Sequence, residues 1–229
     1  MNRPMESPQA AFYRQFIAQG DLCFDVGANS GDKTNVFLEL GARVVAVEPQ
    51  IKCADILRNK FGLNPNCIII DKALGTGEGE GIMYLNDADV LSTLSTEWIE
   101  RMQESGRFQG ALWRNQISVP LTSLDRLIEQ HGVPAFCKID VEGYEWHVLQ
   151  GLSLPLPALS IEFAEETIHN SVHCIHRLLE LGDYEFNCVK GDNTSLEFNQ
   201  WVDLATICSH LGQRTERFMW GDVYARQKG

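Results

Sequence analysis

The sequence predicts a single α/β domain on a mostly parallel sheet with helices on both faces. Three observations carry that expectation. Short apolar runs alternate with helical patterns along most of the chain, which is the signature of βαβ units. The runs read as continuous apolar stretches, as parallel strands buried on both sides do. No Pro/Gly/Ser-rich linker and no internal repeat divides the 229 residues. A unit of this length buries about 70 % of its unfolded surface and needs no staples. With 44 % hydrophobic and 22 % charged residues its composition is that of a globular protein.

The elements follow in order. A first helix is expected over Pro8–Ala18, with Phe12, Phe16 and Ile17 on its apolar side. Asp21–Val26 reads as a strand, Gly27–Gly31 as a turn, and the next helix runs to Leu40 and stops at Gly41, a common helix-end residue. Arg43–Glu48 is a strand rich in β-branched residues, and a helix spans Ile51 to Phe61–Gly62. Cys67–Ile70 is a third buried strand. Residues 75–120 break the rhythm. Gly75, Gly77, Gly79 and Gly81 make a turn-rich patch, and Gly81–Asn86 and Gln116–Leu121 look like strands around an irregular middle. Thr122–His131 is then helical, with Thr122 and Asp125 spaced as a capping box. Ala135–Val141 is a strand, Glu142–Leu152 a helix and Ala158–Phe163 a strand. Ile168, Val172, Ile175 and Leu179 mark an amphipathic helix. A strand at Tyr184–Val189, a helix near Gln200–His210 and a last strand at Arg217–Ala225 complete the chain.

Charge and cysteine content narrow the function. Thirty-one Asp and Glu face 19 Lys and Arg, a formal net charge of -12. A field of that sign repels phosphate backbones and argues against a non-specific nucleic-acid partner. The seven cysteines include no CxxC spacing, and several lie inside apolar runs. That usage fits a reducing cytoplasm rather than a disulfide framework. Met1–Ala10 lacks the apolar core of a signal peptide, and no apolar run reaches the length of a membrane helix.

The first chemistry-bearing feature is the turn Phe24-Asp25-Val26-Gly27-Ala28-Asn29-Ser30-Gly31. Gly27 and Gly31 permit backbone angles closed to other residues and allow close approach of a ligand, which free N–H groups at the helix start would face. Glu48 ends the second strand, where an acid can accept both hydroxyls of an adenosine ribose. A dinucleotide site calls for G-x-G-x-x-G, but Asn29 and Asp32 replace its second and third glycines. Asp32 would set negative charge beside a pyrophosphate. A cofactor with adenosine and no phosphate, such as S-adenosylmethionine, suits the loop better, and its sulfonium tolerates Asp25 nearby.

The same motif resembles motif I of the FkbM-type methyltransferases. Lys138-Ile139-Asp140-Val141-Glu142-Gly143, with Glu145 and Val148-Leu149-Gln150-Gly151, is similar to that family's second signature. Leu121-Thr122-Ser123-Leu124-Asp125 and Gly221-Asp222-Val223-Tyr224-Ala225 look like its lead-in and its final strand. The resemblance covers about residues 20–225. It implies a Rossmann-like class I methyltransferase domain with a seven-stranded sheet and an antiparallel last strand. It also implies S-adenosylmethionine as cofactor, bound by Asp25, Gly27, Ala28, Asn29, Gly31, Glu48 and Asp140, and methyl transfer to a hydroxyl of a sugar, glycolipid or secondary metabolite.

Further candidates sit where strands end, since ligands bind beyond the carboxyl ends of an open α/β sheet. Asp71 is read either as an acceptor for an adenine amino group or as a solvated loop acid. Asp140, Glu142 and Glu162 are the candidate catalytic acids facing the acceptor. Asp140 and Glu162 are also tentative oxygen ligands for Mg²⁺, the competing reading being a methionine contact for Asp140 and a helix cap for Glu142. His169, His173 and His176 share one helix without a fourth zinc ligand, and His169 is a candidate general base. Trp98, Phe108 and Trp113 lie in the 75–120 insert, which is either a substrate lid or a subdomain with its own small core. Two rival functions are an NAD-type oxidoreductase and a non-catalytic binding module.

Overall fold

The apolar runs become strands in the computed structural model, which describes residues 7–213 and 217–228. Strands β1 (Leu22–Val26), β2 (Arg43–Val47) and β3 (Cys67–Ile70) are followed by three strands of a separate small sheet, β4 (Ala73–Leu74), β5 (Gly79–Leu85) and β6 (Asn115–Thr122). Then come β7 (Phe136–Ile139), β8 (Ala158–Ala164), β9 (Tyr184–Lys190) and β10 (Trp220–Gln227). The large sheet has seven strands in the order β3-β2-β1-β7-β8-β10-β9. Its β3, β2, β1, β7 and β8 pair in parallel, and β10 runs antiparallel to both β8 and β9. Every residue of β1 and β7 is buried, so the centre of the sheet is covered on both sides as expected.

Helices α1 (Pro8–Tyr13), α2 (Asp32–Glu39) and α3 (Ile51–Phe61) cover one face. Phe12, Tyr13 and Phe37 pack there with Phe136 and Tyr224, and Leu57 and Phe61 pack with Ala28 and Ala46. The insert contributes α4 (Thr96–Ser105). Helices α5 (Leu124–His131), α6 (Glu145–Gln150), α7 (Ile168–Leu181) and α8 (Leu204–Leu211) belong to the opposite face. Leu124, Leu149, Ile175 and Ile207 bury there in one cluster with Phe24, Ile139 and Ile161. None of the described helices is long and apolar enough to cross a membrane. Part of the segment read for a leader, residues 1–6, lies outside the described residues.

Several elements depart from the sequence expectation for local reasons. α1 ends at Tyr13 rather than Ala18, and beyond it Phe16 turns to stack on Tyr224 with ring centroids 5.4 Å apart. α5 is capped by Ser123, whose hydroxyl accepts the Arg126 N–H at 3.3 Å, not by Thr122. Asp125 instead accepts the Ser153 N–H at 2.9 Å. α6 starts at Glu145 rather than Glu142, because Glu142 and Gly143 have φ of 53° and 86°. α8 starts after Asp203, whose carboxylate accepts the Thr206 N–H. The last strand begins at Trp220 rather than Arg217, since Phe218 with φ of 64° interrupts the extended chain.

The 75–120 insert is ordered. β4 pairs with β6 in parallel and β5 with β6 antiparallel, and α4 follows where no regular element was expected. Trp98 and Met102 are one turn apart on α4 and almost fully buried, at 2 % and 1 % exposure. Trp98 meets Trp113 and Phe108 with ring centroids 5.8 and 6.0 Å apart. The three rings form the small core of the insert. The seven cysteines are all free.

The turn after β1 is set by a close main-chain approach. Gly27 has φ of 80°, and a Cβ there would fall inside the carbonyl of Asp140 at the end of β7. Its bareness accommodates protein backbone rather than a ligand. A Gly27→Ala variant is expected to lose at least about 2 kcal/mol of stability through the left-handed backbone and the overlap together, measured by denaturant unfolding.

Candidate active site

Two cavities open at the carboxyl ends of the strands, and Asp140 stands in the wall of both. The first has about 640 Å³ of space including its mouth. It runs over the ends of β1, β2 and β7, past Gly27, Asn29, Glu48 and Asp140, to insert residues such as Met83 and Thr93. The second, about 460 Å³, lies beneath α1 and is lined by Tyr13, Lys138, Glu162, Trp220 and Asp222.

Glu48 anchors the first cavity. It is 3 % exposed. One carboxylate oxygen accepts the Asn29 N–H at 2.9 Å and the other the Gln50 N–H at 2.8 Å. Burial pushes its pKa up, and the two N–H donors pull it partly back. Each oxygen keeps a lone pair for a further donor.

The turn itself does not present free N–H groups. Gly27 and Ala28 N–H both donate to the Val47 carbonyl, Asn29 to Glu48, Ser30 to the Asn29 side chain, and Gly31 to the Ala28 carbonyl. These five donors are satisfied within the turn and by Val47 and Glu48. Gly31 also turns away from the first cavity. A Cβ there would meet the Phe61 ring at 2.5 Å, and α2 starts over a different, shallow groove.

Other predicted cofactor residues lie behind the wall. Asp25 is buried under the turn, accepts the Thr34 hydroxyl at 2.6 Å and lines neither cavity. Ala28 packs into the small cluster of Ala46, Leu57 and Phe61. Asp71 pairs with Arg58 through one oxygen, while its Oδ1 is buried without a partner next to Lys72 and Ala73 of the first cavity. Of the set, Gly27, Asn29, Glu48 and Asp140 reach the cavity wall.

The second cavity concentrates acids. Asp222 on β10 lies directly across from Glu162 on β8, so both side chains share one face of the sheet. Lys138 pairs with Asp140. Burial alone would lower the Lys138 pKa, but the charges of Asp140, Asp222 and Asp25 outweigh it and hold the ammonium well above its usual range. Asp140, Glu142 and Glu162 each offer an oxygen within 4.8 Å of the others. Burial and mutual repulsion raise the Glu142 and Glu162 pKa values well above normal. Asp222 was missed by the sequence reading. An acid between Gly221 and Val223 in an otherwise apolar strand was its one available signal.

The loop carrying Glu142 is held by Glu145, whose Oε1 accepts the Val141 and Gly143 N–H groups at 3.0 and 3.2 Å. His169 is drawn elsewhere. Its Nε2 meets Glu97 of α4 at 2.9 Å near the surface, and it lines neither cavity. The reach of α4 to the start of α7 removes it from the three acids.

The match that decides the family is to the methyltransferase FkbM domain, over residues 25–199. The chain belongs to this family. It is accordingly an S-adenosylmethionine-dependent methyltransferase. No curated protein matches the chain. Among solved structures, precorrin-6y C5,15-methyltransferase from Geobacter metallireducens is similar at 10 % identity, covering 96 % of this chain and 87 % of that one with a TM-score of 0.50. A Streptococcus mutans protein solved with S-adenosylhomocysteine is 12 % identical over 100 % and 99 % of the two chains, TM-score 0.45. An S-adenosylmethionine-dependent O-methyltransferase from Thermotoga maritima is 13 % identical over 100 % and 68 %, TM-score 0.44. At 10 % identity the Geobacter protein speaks to the fold alone.

Burial raises Glu145 to about 7 against its ordinary 4.5. The folded chain thus holds a proton that the unfolded chain releases first, and stability from this group is full below about pH 4.5 and is lost as pH rises through 7. Thermal unfolding of the FkbM chain from pH 5 to 8 is expected to fall along that slope. Glu145→Gln, which keeps the accepting oxygen, should flatten it.

Proposed function

We propose that the chain transfers a methyl group from S-adenosylmethionine to a hydroxyl oxygen of a small acceptor, a sugar or a secondary metabolite, in the cytoplasm. The observation that carries this reading is the meeting of two cavities at Asp140, one suited to an adenosyl group and one rimmed by carboxylates. S-adenosylmethionine supplies an electrophilic methyl group on a sulfonium. Glu48, fixed by two N–H donors, receives the ribose hydroxyls on its remaining lone pairs, and Asn29 closes the wall beside it.

The acceptor enters the second cavity. Trp220, 40 % exposed on its rim, offers an aromatic face, and Asp222 accepts from the acceptor's hydroxyls. Glu162 takes the proton from the reacting hydroxyl. Burial, Glu142 and Asp140 raise its proton affinity, so the ionised carboxylate holds the abstracted proton firmly. The surplus of acids favours a small-molecule acceptor over a nucleic acid.

A second use of the same acids is favoured by their spacing. Asp140, Glu142 and Glu162 form a set of hard oxygen donors of the kind Mg²⁺ takes, and an ion there would lower the hydroxyl pKa. Lys138 on Asp140 competes with that use. Full turnover after EDTA dialysis would exclude it.

Glu48→Gln should weaken S-adenosylmethionine binding by about tenfold to a hundredfold in calorimetry, the loss of a charge-assisted hydrogen bond. In extracts supplied with a deuterated methyl donor, mass spectrometry should reveal a labelled product. Glu162→Gln should slow its formation at least about a hundredfold, and His169→Ala should leave it within about twofold, since a group outside both cavities supplies no proton transfer. Equal slowing by both variants, or a label on nitrogen or carbon, would overturn the proposal.

A further inference from the structure

We propose that the 75–120 insert is a positioning clamp, in which Thr93 and Trp98 fix Glu142 where its carboxylate joins those of Asp140 and Glu162. The inference rests on reading that cluster as the transfer site.

Glu142 has φ of 53°, a conformation few residues with a side chain adopt and one that persists where the surroundings enforce it. Thr93 supplies the enforcement. Its hydroxyl donates to the Glu142 carbonyl at 2.7 Å and accepts the Ser95 N–H at 2.8 Å. The Ser95 hydroxyl in turn accepts the Trp98 N–H at 3.1 Å, capping α4. A continuous hydrogen-bonded path therefore runs from the start of α4 to the acid loop. Thr93 cannot slide along it, because its own backbone exchanges two hydrogen bonds with Tyr84 of β5, at 2.8 and 3.0 Å.

Trp98 blocks the other exit. Gly143 has φ of 86°, and a Cβ there would lie 2.5 Å from the Trp98 ring. The indole rests on that bare backbone and is wedged from behind by Phe108 and Trp113. The far end of the insert is tied down as well. Arg107 makes a two-pronged bond to Glu166, at 2.9 and 2.7 Å, just beyond β8. Fastened at both ends and filled with its own aromatic core, the insert fixes the acid loop rather than opening and closing over it.

The position of Glu142 can be read without knowing the acceptor. Sinefungin carries an amino group where S-adenosylmethionine carries its sulfonium methyl, and S-adenosylhomocysteine carries neither charge. The ratio of their affinities reports the field at the transfer point. We expect the parent protein to prefer sinefungin in calorimetry. Glu142→Gln should cut that preference by about tenfold, the effect of one carboxylate several ångströms away at a partly buried site. Thr93→Val should cut it by about threefold through displacement of the same carboxylate, sinefungin binding falling more than S-adenosylhomocysteine binding. Thr93→Ser should restore it, and Thr93→Val should add nothing in a Glu142→Gln background. Trp98→Phe, which frees space above Gly143 and lies outside the first cavity's wall, should lower the preference too if Thr93→Val fails to fold. A parallel change in both affinities would make Thr93 a simple wall residue and overturn the inference, as would an unchanged preference. If the parent binds neither nucleoside, the proposed function falls and this inference with it.

Discussion

The contact on which the site depends is made by main chain alone. Gly27 after β1 lies so close to the Asp140 carbonyl after β7 that no side chain fits between them. β1 and β7 are adjacent parallel strands, and their ends must diverge to leave a crevice. The bare glycine lets them diverge from the narrowest possible starting point. Glu48 then receives Asn29 from one side of that crevice, and Asp140 faces the second cavity from the other. The two cavities are consequently referenced to the same two peptide groups.

Electrostatics sets the second constraint. Lys138 is the counter-charge shared by Asp140, Asp222 and Asp25. Lys138 also draws Glu142 and Glu162 down, but burial and repulsion among the acids outweigh it and push both toward their protonated forms. Such a cluster is costly to fold and persists only when a rigid frame holds it. Glu145 on one side of the loop and the insert on the other provide that frame.

Most of the large sheet was legible in the sequence because its central strands are buried on both faces and so read as unbroken apolar runs. Glu48 was legible for a related reason, being a lone acid closing such a run. What eluded the sequence depends on tertiary partners. α4 was invisible because Trp98 and Met102 give only one buried turn, and their burial comes from Phe108 and Trp113. Asp25 and Ala28 were assigned to the cofactor by adjacency to Gly27, but a strand alternates its faces and a tight turn buries every second group. Asp25 faces Thr34 instead. The shift of α6 to Glu145 could not be read either, since Glu142 is left-handed only through its contacts. His169 looked central because it follows the strand bearing Glu162, and the insert's Glu97 draws it off.

The placement of β10 has a consequence for how the protein comes into being. It is the final strand in the chain, yet it slots between β8 and β9 rather than at an edge. Trp220 and Asp222 therefore arrive after every neighbour has already been synthesised. Until residues 220–227 leave the ribosome, β8 and β9 have no bridge between them and the second cavity lacks a wall.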